Sequence, residues 1–143
     1  MLFRSTCSDT ARERYRRRLS APLLDRFDLR LALRAPGEVE PRGASSEAER
    51  ARVIGAVARQ THRFAGLPWS RNAHIPAGGL ATYAALDGTA RAAWRAAVRA
   101  VGLTGRGAAA IQRTARTLAD LDDRDAVTAD DVHLAVDLRQ DVP

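Results

Sequence analysis

Lysine is missing from this chain. All 23 of its lysine-or-arginine positions are arginine, set against 17 aspartates and glutamates, so the 143 residues carry a net charge of +6. The absence excludes a chemistry. The P-loop pattern G-x-x-x-x-G-K-[ST] needs a lysine to reach the β and γ phosphates, so the chain holds no complete P-loop of its own. Arginine in place of every lysine reads first as genomic base bias and only second as selection for phosphate binding. Cysteine is almost missing too: Cys7 stands alone. That excludes an internal disulfide, fits a reducing cytoplasm, and supplies too few thiolates for a cysteine-rich zinc site. No apolar run approaches the ~18 residues of a membrane span. Met1-Leu2-Phe3-Arg4 opens no apolar stretch of the kind a secretory signal carries. What is present is 45% hydrophobic and 28% charged residues, the composition of a soluble globular domain with enough chain for one core. The expected location is cytoplasmic, with no membrane partner.

Along the chain, Thr6 and Asp9 read as a capping box for a helix over 8–19. Pro22 stands where a second, short helix can begin. Phe27, Leu29, Leu31 and Leu33 then alternate with Asp28, Arg30, Ala32 and Arg34. That period of two predicts one half-buried strand, which has no partner strand in this chain and so calls for a sheet supplied by sequence before Met1. The stretch 35–45 is rich in proline and glycine and marks the best domain boundary. Everything after it is patterned as helix. Ser46 with Glu49 caps a helix to residue 64 whose inward stripe is Val53, Ile54, Val57, Ala58 and Phe64. A loop covers 66–76 and a short helix 80–86. Asp87 caps a helix to 101 with Trp94, Ala97, Val98 and Val101 inward. A glycine-rich turn at 102–107 leads to a helix ending near 122, with Ile111, Ala115, Leu118 and Leu121 inward. Thr128 and Asp131 box the last helix, with Val132, Ala135 and Val136 toward the core.

Few residues suggest chemistry. Arg26, in Leu23-Leu24-Asp25-Arg26-Phe27-Asp28, falls at a helix-to-strand junction. There its planar, always-charged fork can point at a phosphoryl group held by another polypeptide; the plainer reading is an edge arginine paired with Asp25 or Asp28. Arg106 occupies the first turn of a helix, where a cation opposes the helix dipole unless an anion such as a phosphate lies near; an exposed turn arginine is the ordinary alternative. Arg113 and Arg116 share one helical face with Asp120 four beyond Arg116, a spacing that usually makes a surface ion-pair ladder. His62, His74 and His133 lack metal-ligand spacing and read as structural. Trp69 reads as the pin of its loop, with base stacking the lesser alternative. No catalytic triad and no paired carboxylates are recognisable.

The stretch Tyr15-Arg16-Arg17-Arg18-Leu19-Ser20-Ala21-Pro22-Leu23-Leu24-Asp25-Arg26-Phe27-Asp28-Leu29 resembles the magnesium chelatase-like AAA+ ATPases of the YifB/ComM family. Residues 60–76, 103–121 and 127–132 agree with the same family in the same order. The resemblance implies the C-terminal part of a longer protein, mainly α. A helical lid bundle at 46–143 would follow a linker at 35–45 and, at 1–34, the end of an AAA+ core with one orphan strand. It implies a hexameric ring ATPase related to the chelatase ATPase subunit and to MCM helicases, using ATP and Mg2+ in the intact assembly and, in ComM-type members, acting on DNA. On that pattern Arg26 is the catalytic candidate, an arginine finger for a neighbour's ATP. Arg106 is the sensor-2 residue, and Arg106 and Arg113 are the ATP-binding candidates. No metal ligands are expected: where members often carry several cysteines, Ser5-Thr6-Cys7 keeps one. Ala21 replaces a common glycine. With Walker A, Walker B and sensor 1 absent, no ATP hydrolysis is expected from this chain alone. Two other functions compete: a small arginine-rich DNA-binding module, and a truncated remnant that docks on full-length relatives.

Overall fold

The computed structural model describes residues 7–31 and 43–139. Thr6, Ala32 to Arg34 and most of the 35–45 linker lie outside that range.

Among the described residues the architecture is helical. Helix α1 (Asp9–Arg16) is capped by Ser8, whose hydroxyl accepts from the Ala11 amide at 3.3 Å. Helix α2 (Ala21–Leu24) is one turn, started by Ser20 with Pro22 in its first turn, where a missing N–H costs nothing. Helix α3 (Ser46–Arg63) is capped by Ser45, one residue earlier than its sequence suggests. Two 3-10 turns, Asn72–His74 and Ala77–Gly79, lead into α4 (Leu80–Tyr83). Asp87 caps α5 (Gly88–Val101), which ends on Gly102 at φ 63°, a left-handed position that glycine enters without strain. Thr104 caps α6 (Gly105–Leu121), and a full Thr128–Asp131 capping box opens α7 (Ala129–Asp137).

Helix α6 organises the fold because its buried face is built from small residues. Ala108, Ala109, Ala110, Ala115 and Ala119 let neighbours approach closely on two sides. On one side α5 and α7 close a core of Leu86, Ala90, Ile111, Val127, Val132, Ala135 and Val136. On the other, Phe64, Ile75, Leu80 and Ala84 pack on Ala109, with Leu67, Trp69 and Tyr83 at the margin. Tyr83 meets Phe64 and Trp69 edge-on at 5.7 and 6.0 Å, so Trp69 does pin its loop. Trp94 donates its indole N–H to the Ala108 carbonyl at 2.9 Å. A parallel bridge between Leu86 and Val127 is an isolated pairing, outside any strand.

Three expectations change. No strand forms over the described residues 27–31. That segment makes a single backbone hydrogen bond to the bundle, Arg30 N–H to the Leu138 carbonyl at 2.6 Å, and a lone strand without a ladder has nothing to hold it extended. Val53 and Ile54 are 51% and 61% exposed, because α3 meets the core through Ala56, Gln60 and the following Phe64: Val53 lies one turn before Ala56, and Ile54 lies with Ala58, also exposed, on the face turned away. Val101 is exposed as well, at the last position of α5.

Candidate functional site

The arginines singled out from sequence have three different surroundings. Arg26 follows α2 in a tight turn, its amide bonded to the Leu23 carbonyl at 3.0 Å. Its side chain is exposed and has no hydrogen-bond or ion-pair partner among the described residues. Neither neighbouring aspartate takes it up. Asp25 instead accepts from Thr104 Oγ1, 3.1 Å from each carboxylate oxygen, and from Arg139 Nη2 at 2.9 Å. Arg106 is exposed at the second position of α6, two residues beyond the Thr104 cap, and its guanidinium is likewise without a partner among the described residues. Arg113 is committed elsewhere: Nε and Nη2 donate to the Ile75 carbonyl at 2.9 and 2.7 Å, tying the loop before α4 to α6.

The structure thus brings the Arg26 turn against the start of α6. An open groove of about 510 Å³ runs between them, lined by Pro22, Leu24, Asp25, Gly102, Leu103 and Thr104. On another side of the α6 start, Arg91, Trp94, Arg95, Gly105, Ala108 and Gln112 line a groove of about 520 Å³.

Arg116 and Asp120 do not form a surface ladder. They lie in a buried polar cluster where Asp120, with no exposed side-chain area, accepts from Arg116 Nη2 at 3.0 Å, from Arg63 at 2.5 and 2.8 Å, and from Asn72 Nδ2 at 2.8 Å. Burial alone would push the Asp120 carboxyl up. The hydrogen bonds from Arg63 and Asn72 and the charge of Arg116 outweigh it and hold the pKa below the ordinary carboxylate value. Arg116 is pulled below its usual value by burial, which Asp120 only partly offsets. Arg116 also donates to the carbonyls of Arg124, at 2.5 Å, and Asp125. Apart from Arg116 Nε, which is buried without an acceptor among the described residues, these groups are engaged by one another and by backbone, as in a structural network rather than a waiting reactive site. His62, His74 and His133 are all exposed, and no three His, Cys, Asp or Glu side chains converge to hold a metal ion among the described residues.

Sequence reasoning missed Arg139, Arg63 and Asn72. Arg139 reaches residues 112 and 114 positions away, so no local pattern could reveal it. For the cluster, the i,i+4 spacing of Arg116 and Asp120 gave the pairing but not its burial.

Two family models match the chain. Residues 43–139 match the C-terminal domain of magnesium chelatase subunit ChlI, and residues 2–40 match magnesium chelatase subunit ChlI. The chain belongs to the magnesium chelatase ChlI family. The helical bundle around α6 is the C-terminal helical domain of this magnesium chelatase-like AAA+ family, as the fold class read from sequence requires. No curated protein and no solved structure shows significant similarity to the chain. No helix of the described residues is long and apolar enough to cross a membrane.

Proposed function

We propose that the chain works as part of a ring of AAA+ subunits of the YifB/ComM type, where Arg26 acts as an arginine finger on ATP held by a neighbouring subunit. Arg106 acts as the sensor-2 residue at the start of the lid helix. The observation that carries this is the pairing state of the two guanidinia. Arg26 and Arg106 are exposed and unpaired among the described residues, whereas Arg63 and Arg116 are held by Asp120, Arg113 by the Ile75 carbonyl and Arg139 by Asp25. Both belong to segments held together through Asp25 and Thr104. An unpaired guanidinium fixed on a turn offers a planar fork of donors to phosphate oxygens as charge develops during transfer. Arg113 is spent on Ile75, so the reading rests on Arg26 and Arg106 alone.

The donors available fit phosphate oxygens and not a metal ion. The chain has no lysine for a P-loop of its own, and in this reading ATP and Mg2+ are held by the intact assembly. The division into a core end at 1–34, a linker at 35–45 and a lid at 46–143 is supported by the two family models meeting between residues 40 and 43. A homo-hexameric ring, a DNA substrate and a cytoplasmic location are part of the same proposal. Phosphate release by the pure chain with ATP and Mg2+ should not exceed buffer; hydrolysis by pure chain that disappears in Arg26→Ala would sink the reading. Added to a P-loop-bearing family member, the wild-type chain should change its ATP turnover and Arg26→Ala should not.

A second reading has its own observation. Arg91, Arg95 and Arg99 recur every four residues along the exposed face of α5, a helix with no acidic residue, and the whole chain carries +6. That face suits a DNA backbone, with affinity falling steeply as salt rises. A salt-insensitive titration, or no binding at physiological salt, excludes it.

A further inference from the structure

We infer that Arg139 is a positioning residue for Arg26: its buried guanidinium clamps the backbone on both sides of Arg26 and, through Asp25 and Thr104, locks the Arg26 turn to the helix start that carries Arg106. The inference rests on the reading of Arg26 as a group that acts on a neighbour's ATP.

Arg139 stands just past α7 and is only 4% exposed, and both of its terminal nitrogens are engaged. Nη1 donates to the Phe27 carbonyl at 2.5 Å, and Nη2 donates to the Asp25 carbonyl at 2.8 Å and to Asp25 Oδ1 at 2.9 Å. Nη1 also lies 3.8 Å from the Asp28 carboxylate. The two carbonyls gripped belong to the residues immediately before and after Arg26. Fixing both leaves the side-chain torsions as Arg26's remaining freedom. That is the arrangement that cuts the entropy cost of presenting one guanidinium at one place. Asp25 continues the connection. Its carboxylate takes the Thr104 hydroxyl, and the same Thr104 oxygen accepts the Gly107 amide that caps α6. The helix itself leaves room for the clamp: a Cβ at Gly107 would come within 3.3 Å of Arg139 Nε and Nη2. One node of three side chains therefore joins the end of α7, the start of α6 and the turn bearing Arg26. A movement of α6 would be passed to Arg26 with no intervening flexible segment.

Three variants of the full chain separate positioning from bulk stability. Arg139→Lys keeps the charge but has one nitrogen where three acceptors need a fork. Thr104→Asp keeps a good helix cap while setting a carboxylate against Asp25. Asp25→Asn removes the charge and leaves the carbonyls. Amide hydrogen exchange of each is followed residue by residue. Losing a charge-assisted hydrogen bond predicts about tenfold or faster exchange at the Asp25, Arg26, Phe27 and Arg30 amides, with α5 and α6 core amides unchanged. In the mixed assay with a P-loop-bearing family member, the variants should lower the turnover attributable to Arg26 without changing KM for ATP. Unchanged exchange at 25–30 in both Thr104→Asp and Arg139→Lys overturns the clamp. So does exchange that rises equally throughout α5 to α7, because Arg139 is then only one more core contact. If Arg26→Ala abolishes the effect on turnover while the clamp variants preserve it, positioning is refuted and the Arg26 reading stands. If Arg26→Ala itself changes nothing, the ATP reading falls and takes this inference with it, whatever the exchange data show.

Discussion

Asp120 shows how much a single buried carboxylate can organise. Its two oxygens hold Arg63 from α3, Arg116 from its own helix and Asn72 from the loop between α3 and α4. Replacing it with alanine strands two guanidinia in a buried cluster, which costs about 3–5 kcal/mol; thermal melting followed by circular dichroism measures this. The same group sets an acid limit, together with Asp131, whose carboxyl is pushed up by burial but held lower overall by Arg124 and Thr128. Both carboxyls titrate lower in the folded chain than in the unfolded one, where the value is about 3.9. The folded state therefore binds fewer protons. Their contribution to stability is present above that pH and is lost as pH falls through it to the lower folded values. The melting temperature should hold steady at neutral pH and drop below about pH 4, and Asp120→Asn should flatten that drop even though it starts from a lower plateau. An equally steep acid loss in Asp120→Asn would show that other groups carry it. At this scale the sequence was only partly legible. The i,i+4 spacing of Arg116 and Asp120 gave the pair, but burial depends on Arg63 and Asn72 arriving from elsewhere in the chain.

Among the elements, α3 and α7 make opposite cases. The capping box of α7 and its inward Val132, Ala135 and Val136 were legible because the start signal and the apolar spacing agree, and the bundle happens to cover that face. Thr128→Ala should cost about 1 kcal/mol. In α3 the apolar stripe predicted a helix correctly, yet Val53 lies a turn before the first core contact at Ala56 and Ile54 sits with Ala58 on the exposed face. Ile54→Ser should therefore change stability by no more than about 0.5 kcal/mol, whereas Ile111→Ala, in the middle of α6, should cost about 2–5 kcal/mol. Chemical denaturation of the two variants side by side distinguishes them; a large loss in Ile54→Ser would mean that this face is covered in solution. The segment 27–31 is the third case. Alternating residues state a preference for a pleated, half-buried surface, but whether a strand forms depends on a neighbouring strand to pair with, and among the described residues the bundle meets this backbone with the Leu138 carbonyl and the Arg139 side chain rather than a strand.

For the molecule as a whole, the decisive arrangement is that two small cores share α6 and that the turn bearing Arg26 is fastened to the start of that same helix. That the chain is mainly helical, where most helices begin, that it has no P-loop and that it resembles the family to which its residues 43–139 belong could all be read before any coordinates. The helical class, the helix starts and the missing P-loop follow from composition, capping residues and short-range periodicity, all of which act over a few positions, whereas the resemblance rests on the motif stretches 15–29, 60–76, 103–121 and 127–132. Which arginines are spent and which are left exposed depends on the folded arrangement. Arg113 caps Ile75, Arg116 and Arg63 neutralise Asp120, and Arg139 grips the carbonyls around Arg26, while Arg26 and Arg106 keep no partner among the described residues. The reason is physical. A guanidinium's role is set by the acceptors that folding brings within hydrogen-bond distance, and here many of those acceptors are contributed from tens of residues away.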